Sequence, residues 1–83
     1  MKQILVVNAR WVFVGDVADN VDEVTVTNAY NIRRWGTTKG LGQLAIHGPT
    51  STTVLDECTT VVIPKSQILC RLHVVNPQNW PQT

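Results

Sequence analysis

Most apolar residues of this chain fall in short stretches of β-branched and aromatic side chains, some of which alternate with polar positions, and this pattern predicts a β-sheet. Residues 3–7 and 10–17 are rich in β-branched and aromatic side chains, which favour strands over helices. Residues 8–9 between them fit either a tight turn or a bulge within one long strand. In the second segment Trp11 lies on one face and Val12 on the other, so both faces of this strand are apolar. The pattern therefore places this strand at the centre of the sheet or at an interface.

Later segments repeat the strand pattern. Residues 23–27 alternate valine with threonine and predict a third strand with one face exposed to water. Three further apolar segments predict the final strands: residues 52–55, 59–63 and 67–75. Residues 56–57 and 64–66 are the predicted turns between them. The last of these segments has the clearest period of two.

One or two short helices are indicated between the third strand and the final strands. Asn28 is suited to cap a helix that Gly36 ends. On this helix Ile32 and Trp35 lie three residues apart and both face the core, while the two arginines between them face solvent. Residues 41–46 predict either a brief second helix or the start of a strand, and the His-Gly-Pro sequence that follows ends any helix there.

Together these elements predict an α+β fold, mostly β, with about five to six short antiparallel strands and one or two short helices. We expect a single β-rich domain at residues 1–75 and an extended tail at residues 76–83, where two prolines restrict the backbone. In the tail, Trp80 is expected either to dock on a neighbouring subunit or to stay loose.

Length and charge narrow the class of protein. With 83 residues, 43% of them hydrophobic, the chain predicts one small globular domain with a limited core, so we expect a homo-oligomer. No apolar run approaches the roughly 20 residues of a membrane-spanning helix, and no signal-peptide pattern is present, so we expect a cytoplasmic protein. A net charge of +1 gives no overall attraction to nucleic acid. Any electrostatic function must therefore come from local segregation of charge.

The sequence predicts no metal, cofactor or catalytic site. Residues 16–23 form an acidic turn, but its carboxylates lack the spacing and central glycine of a calcium loop. Two cysteines, at positions 58 and 70, have no metal-ligand spacing and are expected as free thiols. His47 is a candidate general base with Ser51 and Asp56 nearby in sequence, yet no nucleophile motif accompanies it. We therefore expect a protein without enzymatic activity.

The segment at residues 31–53 has the composition of an anion site. No acidic residue occurs between Glu23 and Asp56, whereas four glycines, six serines or threonines and several basic residues fall within this segment. Cationic side chains supply charge, hydroxyls and glycine-exposed N–H groups supply directional donors, and Trp35 supplies a flat ring for stacking. The alternative is a solvated connection whose basic residues maintain solubility and whose Trp35 belongs to the core.

Each part of this segment has a predicted role toward a phosphorylated ligand. Arg33, Arg34 and Lys39 neutralise phosphate, the glycine-rich backbone and the hydroxyls orient it, and an aromatic ring stacks on a base. The predicted ligand-binding residues are Tyr30, Arg33, Arg34, Trp35, Thr37, Thr38, Lys39, Gly40, Thr50, Ser51 and Thr52. The GTTKGLG sequence is neither a Walker motif nor a dinucleotide fingerprint, because its lysine precedes the glycine and GxGxxG is absent.

The string IRRWGTTKGLGQLAIHGPTSTTVLD resembles the shared segment of a family of small bacteriophage proteins, in which IRRWGT-x-x-GLG-x-LA is followed by GPT and a β-rich second half. The likeness covers the middle and later half of the chain. It implies a phage accessory protein that acts in the cytoplasm of the infected bacterial host. Small phage proteins of this kind include decoys that sequester cyclic-nucleotide or ADP-ribose-type signals of host defence.

We therefore predict a protein that binds and sequesters a phosphorylated nucleotide without turnover and so counters host anti-phage defence. The alternative is a nucleic-acid-binding or virion structural module, in which the same basic residues line an open groove. The nearly neutral net charge argues against that alternative. A hydrolase is the third class considered, and it lacks a convincing constellation of acid, base or metal.

Overall fold

The computed structural model describes residues 1–81, which form a six-stranded antiparallel sheet and one α-helix. The strands are β1 (Lys2–Val7), β2 (Trp11–Asp19), β3 (Glu23–Arg34), β4 (Val54–Glu57), β5 (Val61–Pro64) and β6 (Ile68–His73). The helix α1 spans Leu41–His47. Short 3₁₀ turns lie at Asn8–Arg10, Lys65–Gln67 and Pro77–Asn79. The predicted fold class is confirmed, and the last two residues of the predicted tail lie outside the described part of the chain.

Strand β3 is the longest strand and organises the sheet. The strand order is β4-β3-β2-β1-β6, and β5 also pairs with β3. β4 pairs with the C-terminal half of β3 and β5 with its N-terminal half, so one edge of β3 carries two short strands in succession. Between these strands, Cys58 N donates a hydrogen bond of 2.9 Å to Ala29 O. β4 and β5 therefore act as one interrupted partner of β3.

A bulge bends β2 and β3 at the same place. The register between the two strands shifts after Val14, opposite Asn28, whose φ is 51°. A Cβ at Gly15 would lie 2.6 Å from Val26 Cγ1 and 2.8 Å from Thr27 O, so only glycine allows the strands to approach here. Because of this bulge, the two halves of β3 present their apolar side chains to opposite faces of the sheet.

Each face of the sheet carries a buried apolar cluster. The first cluster, which includes residues of α1, contains Ile4, Val12, Val14, Ile32, Leu44, Ala45, Val74 and Trp80. The second cluster contains Leu5, Val7, Val24, Val26, Ala29 and Ile63. β2 packs into both, because Val14 lies in the first cluster and Phe13 packs against the second. Of the two positions predicted for this strand, the centre of the sheet or an interface, the structure shows the centre of the sheet.

The short connection between β1 and β2 is a hairpin turn. Asn8–Arg10 joins the two antiparallel strands, so the tight-turn alternative at this position is correct and the bulge alternative is wrong. Ala9 and Arg10 reverse the chain with φ values of 65° and 66°. Because Phe13 pairs with Asn31, this turn lies at the end of the sheet where β3 finishes.

The predicted helix at residues 28–36 is wrong, because most of these residues continue β3. A helix of this length is marginal alone, whereas β2 and β4 satisfy the backbone of β3 from both sides. Ile32 is buried in the first cluster, but Trp35 is 42% exposed and does not belong to either cluster. The alternative that placed Trp35 in the core is therefore wrong. The two arginines between them face solvent, as predicted.

Helix α1 forms where the sequence predicted either a helix or a strand. Leu44 and Ala45 are buried on its inner side. Gly48 ends the helix with a φ of 86°, and its N–H donates to Leu44 O at 2.9 Å. Within residues 1–81, no helix has the length and apolar character needed to cross a membrane.

The C-terminal segment packs onto the end of α1. Asn76 Nδ2 donates to Ile46 O at 2.6 Å, and Asn79 Nδ2 donates to His47 O at 3.2 Å. These bonds satisfy carbonyl groups that a helix end leaves without intrahelical donors. Trp80 is only 3% exposed and lies in the first cluster of its own chain. The expectation that Trp80 docks on a neighbouring subunit or stays loose is therefore wrong.

Two predicted turns lie wholly or partly within strands. Residues 56–57 lie within β4, and the chain continues through residues 58–60 into β5 along the same edge of β3 without reversing, so the predicted turn between these strands is wrong. In the predicted acidic turn, Asp16 and Asp19 lie within β2. In both places backbone pairing with β3 extends a strand into polar positions, which give no apolar signal in the sequence. The predicted turn at residues 64–66 is confirmed by the 3₁₀ turn that joins β5 to β6.

Candidate ligand-binding loop

The candidate site is the chain that leaves β3 and leads into α1. We call residues 34–40 the basic loop, because they contain Arg34 and Lys39 and no acidic residue. The loop is held against the segment at residues 50–53, which precedes β4. The structure thus brings together most of the residues that the sequence singled out.

Threonine hydroxyls fix the first part of the basic loop. Thr50 Oγ1 donates to Gly36 O at 2.7 Å, and Thr52 Oγ1 donates to the same oxygen at 3.2 Å. Thr53 Oγ1 donates to Trp35 O at 2.6 Å. A hydroxyl has a single proton to donate, so these threonines hold the loop and do not offer that proton to a phosphate. Their observed contacts are those of the alternative in which hydroxyls satisfy loop backbone.

Gly36 is required by this close packing. Its φ is 66°, a conformation that residues with a Cβ rarely adopt. A Cβ there would also lie 2.6 Å from Thr52 Oγ1 and 2.6 Å from Thr53 N. The loop can therefore approach the threonine segment only with glycine at this position.

The second part of the basic loop is tied to the start of α1. Thr37 Oγ1 donates to Gly40 O at 2.9 Å. Gln43 Oε1 accepts from Lys39 N at 2.9 Å and from Thr38 Oγ1 at 3.2 Å. The threonine hydroxyls of this part also serve the loop itself. The loop is thus an ordered platform whose side-chain charge, rather than its hydroxyls, is available to a ligand.

Trp35 provides an exposed aromatic surface on this platform. A Cβ built on Gly40 would lie 4.0 Å from Trp35 Cζ3, so the ring lies beside the second glycine of the loop. The ring is 42% exposed. The absence of a side chain on Gly40 keeps this side of the indole open. A planar base or a guanidinium can stack on such a ring.

The basic residues fall into two groups. Arg33 forms an ion pair with Asp56, with Nε and Nη2 at 2.8 and 3.3 Å from the carboxylate oxygens. Within residues 1–81, Arg34 and Lys39 take part in no salt bridge. The two charges of the basic loop are therefore free to meet an anion, whereas Arg33 would first have to leave Asp56. The sequence did not predict this ion pair, because Arg33 and Asp56 are 23 residues apart and only the pairing of β3 with β4 brings them together.

A further cation, the third at this end of the sheet without a salt bridge among residues 1–81, was missed by sequence reasoning. Arg10 lies in the β1–β2 turn, at the end of the sheet where β3 finishes, and within residues 1–81 it takes part in no salt bridge. Trp11, beside it, is 53% exposed and stacks on Phe13 with ring centroids 5.8 Å apart. Only the register of β2 on β3 relates these residues to the basic loop, so no local sequence signal identifies them.

Tyr30 and Ser51 stand apart from the other predicted site residues. Tyr30 packs against the first cluster. It lies four residues before Arg34, or about 13 Å along a strand that rises 3.3 Å per residue. Ser51 is exposed, and its hydroxyl makes no hydrogen bond within residues 1–81. Ser51 is thus the one predicted hydroxyl of this segment that remains available among the described residues.

Four residues of the basic loop, Arg34, Trp35, Thr38 and Lys39, are exposed at the surface. A cavity of about 210 Å³ lies beside Tyr30, Glu57 and Cys58, and a cavity of about 280 Å³ is lined by Trp11, Phe13 and β5. Residues 34–40 line neither of these cavities.

The ion pair between Arg71 and Asp19 lies away from the loop, because Asp19 pairs with Val24 at the other end of β3. Arg71 Nη2 and Nη1 lie 2.9 and 3.1 Å from the carboxylate oxygens of Asp19. This hydrogen-bonded contact lowers the pKa of the Asp19 carboxyl and raises the pKa of the Arg71 guanidinium. In the part of the chain that the structure describes, no three His, Cys, Asp or Glu side chains are placed to hold a metal ion.

Comparison with known proteins assigns no family. A scan against models of protein families finds no match, and a search of the curated proteins finds none either. The functional interpretation therefore depends on the geometry and chemistry of the basic loop.

Proposed function

We propose that this protein binds and sequesters a phosphorylated nucleotide of the cyclic-nucleotide or ADP-ribose type, without turning it over. One observation carries the proposal. The exposed Trp35 ring shares the basic loop with Arg34 and Lys39, two cations without an acidic partner among the described residues. An aromatic surface beside unpaired positive charge matches the two parts of a nucleotide, its base and its phosphate.

Each group has a distinct role in this proposal. The Arg34 guanidinium binds phosphate through two parallel hydrogen bonds, and Lys39 adds a second positive charge. Trp35 stacks on the base. Sequestration needs tight binding only, so the proposal assigns no nucleophile, acid or base. The hydrogen bonds that fix the loop lower the entropy lost on binding.

The biological setting is part of the proposal. The resemblance of the IRRWGTTKGLG segment to small phage proteins supports a role in the cytoplasm of an infected bacterium, as a decoy for a defence signal. A homo-oligomer is also proposed, because a chain of 83 residues buries a limited core.

The proposal is tested by incubating the protein with cyclic di- and trinucleotides and ADP-ribose derivatives. Bound ligand is then released by heat and identified by chromatography. We expect uptake of at least one compound and its recovery intact. Recovery of an altered product would make the protein an enzyme, and no uptake of any compound would refute the proposal.

A polynucleotide is the second candidate ligand, and the exposed surface of the basic loop favours it. A strand lying across several cations displaces many counterions, so its affinity falls steeply with salt, with a logarithmic slope on the order of several. A nucleotide with few phosphates gives a shallow slope. We expect the shallow slope, and binding confined to long single strands with steep salt dependence would replace the nucleotide proposal.

Substitutions separate the two arginines. Arg34→Ala should weaken nucleotide binding by about 1.5–3 kcal/mol, the range for hydrogen bonds to a charged group, and Arg34→Lys should weaken it too because the planar fork is lost. Arg33→Ala should cost less, since Arg33 is engaged by Asp56. Lys2→Gln is the matched control, because it removes a cation without a salt bridge among residues 1–81 on a strand away from the loop. Equal losses from Arg34→Ala and Lys2→Gln would show that only overall charge matters.

A further inference from the structure

The outer edge of β5 borders an apolar cavity. This cavity, of about 280 Å³, is lined by Val7, Trp11, Phe13, the four residues of β5 and Gln67. Within residues 1–81, β5 pairs with β3 alone, so no strand of the described chain covers its other edge. Residues 34–40 do not line the cavity, so this surface is separate from the basic loop.

The alternation of hydrogen bonds along β5 identifies its outward groups. Lys65 N donates to Asp22 O at 2.9 Å, which makes these two residues a hydrogen-bonded pair. By the register of the two strands, Ile63 also bonds to β3, whereas Val62 and Pro64 occupy the positions that do not. Pro64 agrees with this assignment, because it has no N–H to give to β3. The N–H and C=O of Val62 therefore point away from β3.

The side chains around the cavity combine apolar contact with hydrogen-bond donors. Trp11 is 53% exposed and stacks on Phe13, with an angle of 2° between the ring planes. Gln67 Oε1 accepts from Asn8 Nδ2 at 3.0 Å, which leaves the side-chain N–H groups of Gln67 to a ligand. Arg10, which precedes Trp11, takes part in no salt bridge within residues 1–81. A cation without an acidic partner thus adjoins an apolar surface.

We propose that an extended peptide segment of another protein adds to the outer edge of β5, with apolar side chains at alternate positions and an acidic residue beside them. One peptide residue bonds to both the N–H and the C=O of Val62, as in an antiparallel pair. The side chains before and after that residue then point to the face of the sheet that carries the second cluster, where Trp11 and Phe13 offer apolar contact. The acidic residue pairs with Arg10.

A second copy of β5 suits this edge less well than a peptide. Symmetric pairing about Val62 would place Thr60 of each copy opposite Pro64 of the other, where the Thr60 carbonyl finds no N–H. β5 has only four residues, and the 3₁₀ turn at Lys65–Gln67 follows directly, so the edge accepts only a short segment. A peptide that begins beside Pro64 avoids the missing donor.

Short synthetic peptides test the proposal with the full chain. The probes carry valine at two alternate positions, with either glutamate or glutamine beside them, and control peptides carry serine in place of valine. We expect the valine peptides to bind and the serine peptides not to bind. Glutamate should increase the affinity about two- to fivefold over glutamine, the range for an exposed ion pair. No binding of any valine peptide at millimolar concentration would overturn the proposal.

Amide exchange measured by NMR locates the bound peptide. The Val62 amide should become protected only when a valine peptide is present. Binding that leaves this amide exchanging fast would place the peptide elsewhere and overturn the proposal. Protection of Val62 without peptide, as the protein concentration rises, would show that a second copy occupies the edge and would also overturn it.

Substitutions at the edge give a second test. Val62→Pro removes the outward N–H while leaving the bonds to β3, so it should raise the Kd of the valine peptides at least about tenfold. Val62→Thr keeps the N–H and should bind as the natural chain does. Arg10→Gln should abolish the preference for glutamate over glutamine. Equal affinity of Val62→Pro and Val62→Thr, or a preference for glutamate that survives Arg10→Gln, would contradict the proposal.

A modified peptide tests the same backbone pairing without any substitution in the protein. Methylation of the peptide nitrogen that donates to Val62 O removes one of the two bonds, so it should weaken binding to the natural chain at least about tenfold. Methylation of the next nitrogen in the peptide, which points away from β5, is the matched control and should have a smaller effect. Equal effects of the two methyl groups would overturn the proposal.

Discussion

Replacing Gly36 by alanine tests how firmly the basic loop is fixed. The new Cβ would lie 2.6 Å from Thr52 Oγ1 and from Thr53 N, on a residue whose φ is 66°. The backbone of the loop and the threonine segment must then move apart. This movement would break the hydrogen bonds that Thr50 and Thr52 donate to Gly36 O.

The cost follows from these contacts. A non-glycine residue at positive φ costs about 1–2 kcal/mol. Each lost hydrogen bond costs about 0.5–1.5 kcal/mol, and two are lost. We therefore expect Gly36→Ala to lower the free energy of unfolding by about 2–5 kcal/mol. At about 4–8 °C per kcal/mol for a chain of this size, the Tm should fall by roughly 10–40 °C.

Urea and thermal unfolding, followed by circular dichroism, measure this loss. Gly42→Ala is the matched control, because no atom lies within 4 Å of the new Cβ and the residue lies within α1. Alanine is the better helix former, so this substitution should raise stability by about 0.5–1 kcal/mol. If Gly36→Ala is as stable as the natural chain, the reasoning about the loop is refuted.

Two further substitutions test other parts of the fold. The pKa of Asp19 is lowered from its ordinary value of 3.8, chiefly by its hydrogen bonds with Arg71. The pairing therefore stabilises the folded protein at pH values above 3.8, and this stabilisation is lost as the pH falls through the lowered pKa. Between about pH 6 and pH 2, the Tm of Asp19→Asn should therefore fall less than that of the natural chain, and parallel curves would contradict this. Trp80→Ala leaves a cavity at a buried position and should lower the free energy of unfolding, measured in urea, by about 3–5 kcal/mol. Trp80→Phe should lower it less, and an unchanged free energy of unfolding in Trp80→Ala would show that Trp80 is not part of the core.

The elements predicted correctly are those whose patterns are local. β2 follows from its β-branched and aromatic residues and β6 from alternation within one segment, and the turn before β6 follows from its proline, lysine and serine. The second half of β3 was predicted as a helix because its cap and glycine are local features of a helix. Its strand form depends on pairing with β4, which is distant in sequence. Trp80 was misplaced for the same reason, since its neighbours in the first cluster come from distant elements.

The candidate site was predicted in part. Arg34, Trp35 and Lys39 follow from one contiguous segment, and the structure leaves all three accessible. The use of threonine hydroxyls within the loop was an open alternative, because a hydroxyl suits both a phosphate and a backbone carbonyl. The pair between Arg33 and Asp56 could not be predicted, since strand register alone brings these side chains together.

Chemical-shift mapping tests the central claim most directly. The ¹⁵N-labelled protein is titrated with the cyclic di- and trinucleotides and ADP-ribose derivatives named above, and the amide and indole N–H resonances are followed. For a compound that binds, we expect the largest shifts at residues 34–40 and at the Trp35 indole N–H. No shift at the basic loop with any compound, or shifts confined to the cavity beside Trp11 and Phe13, would contradict the assignment of the loop as the ligand site.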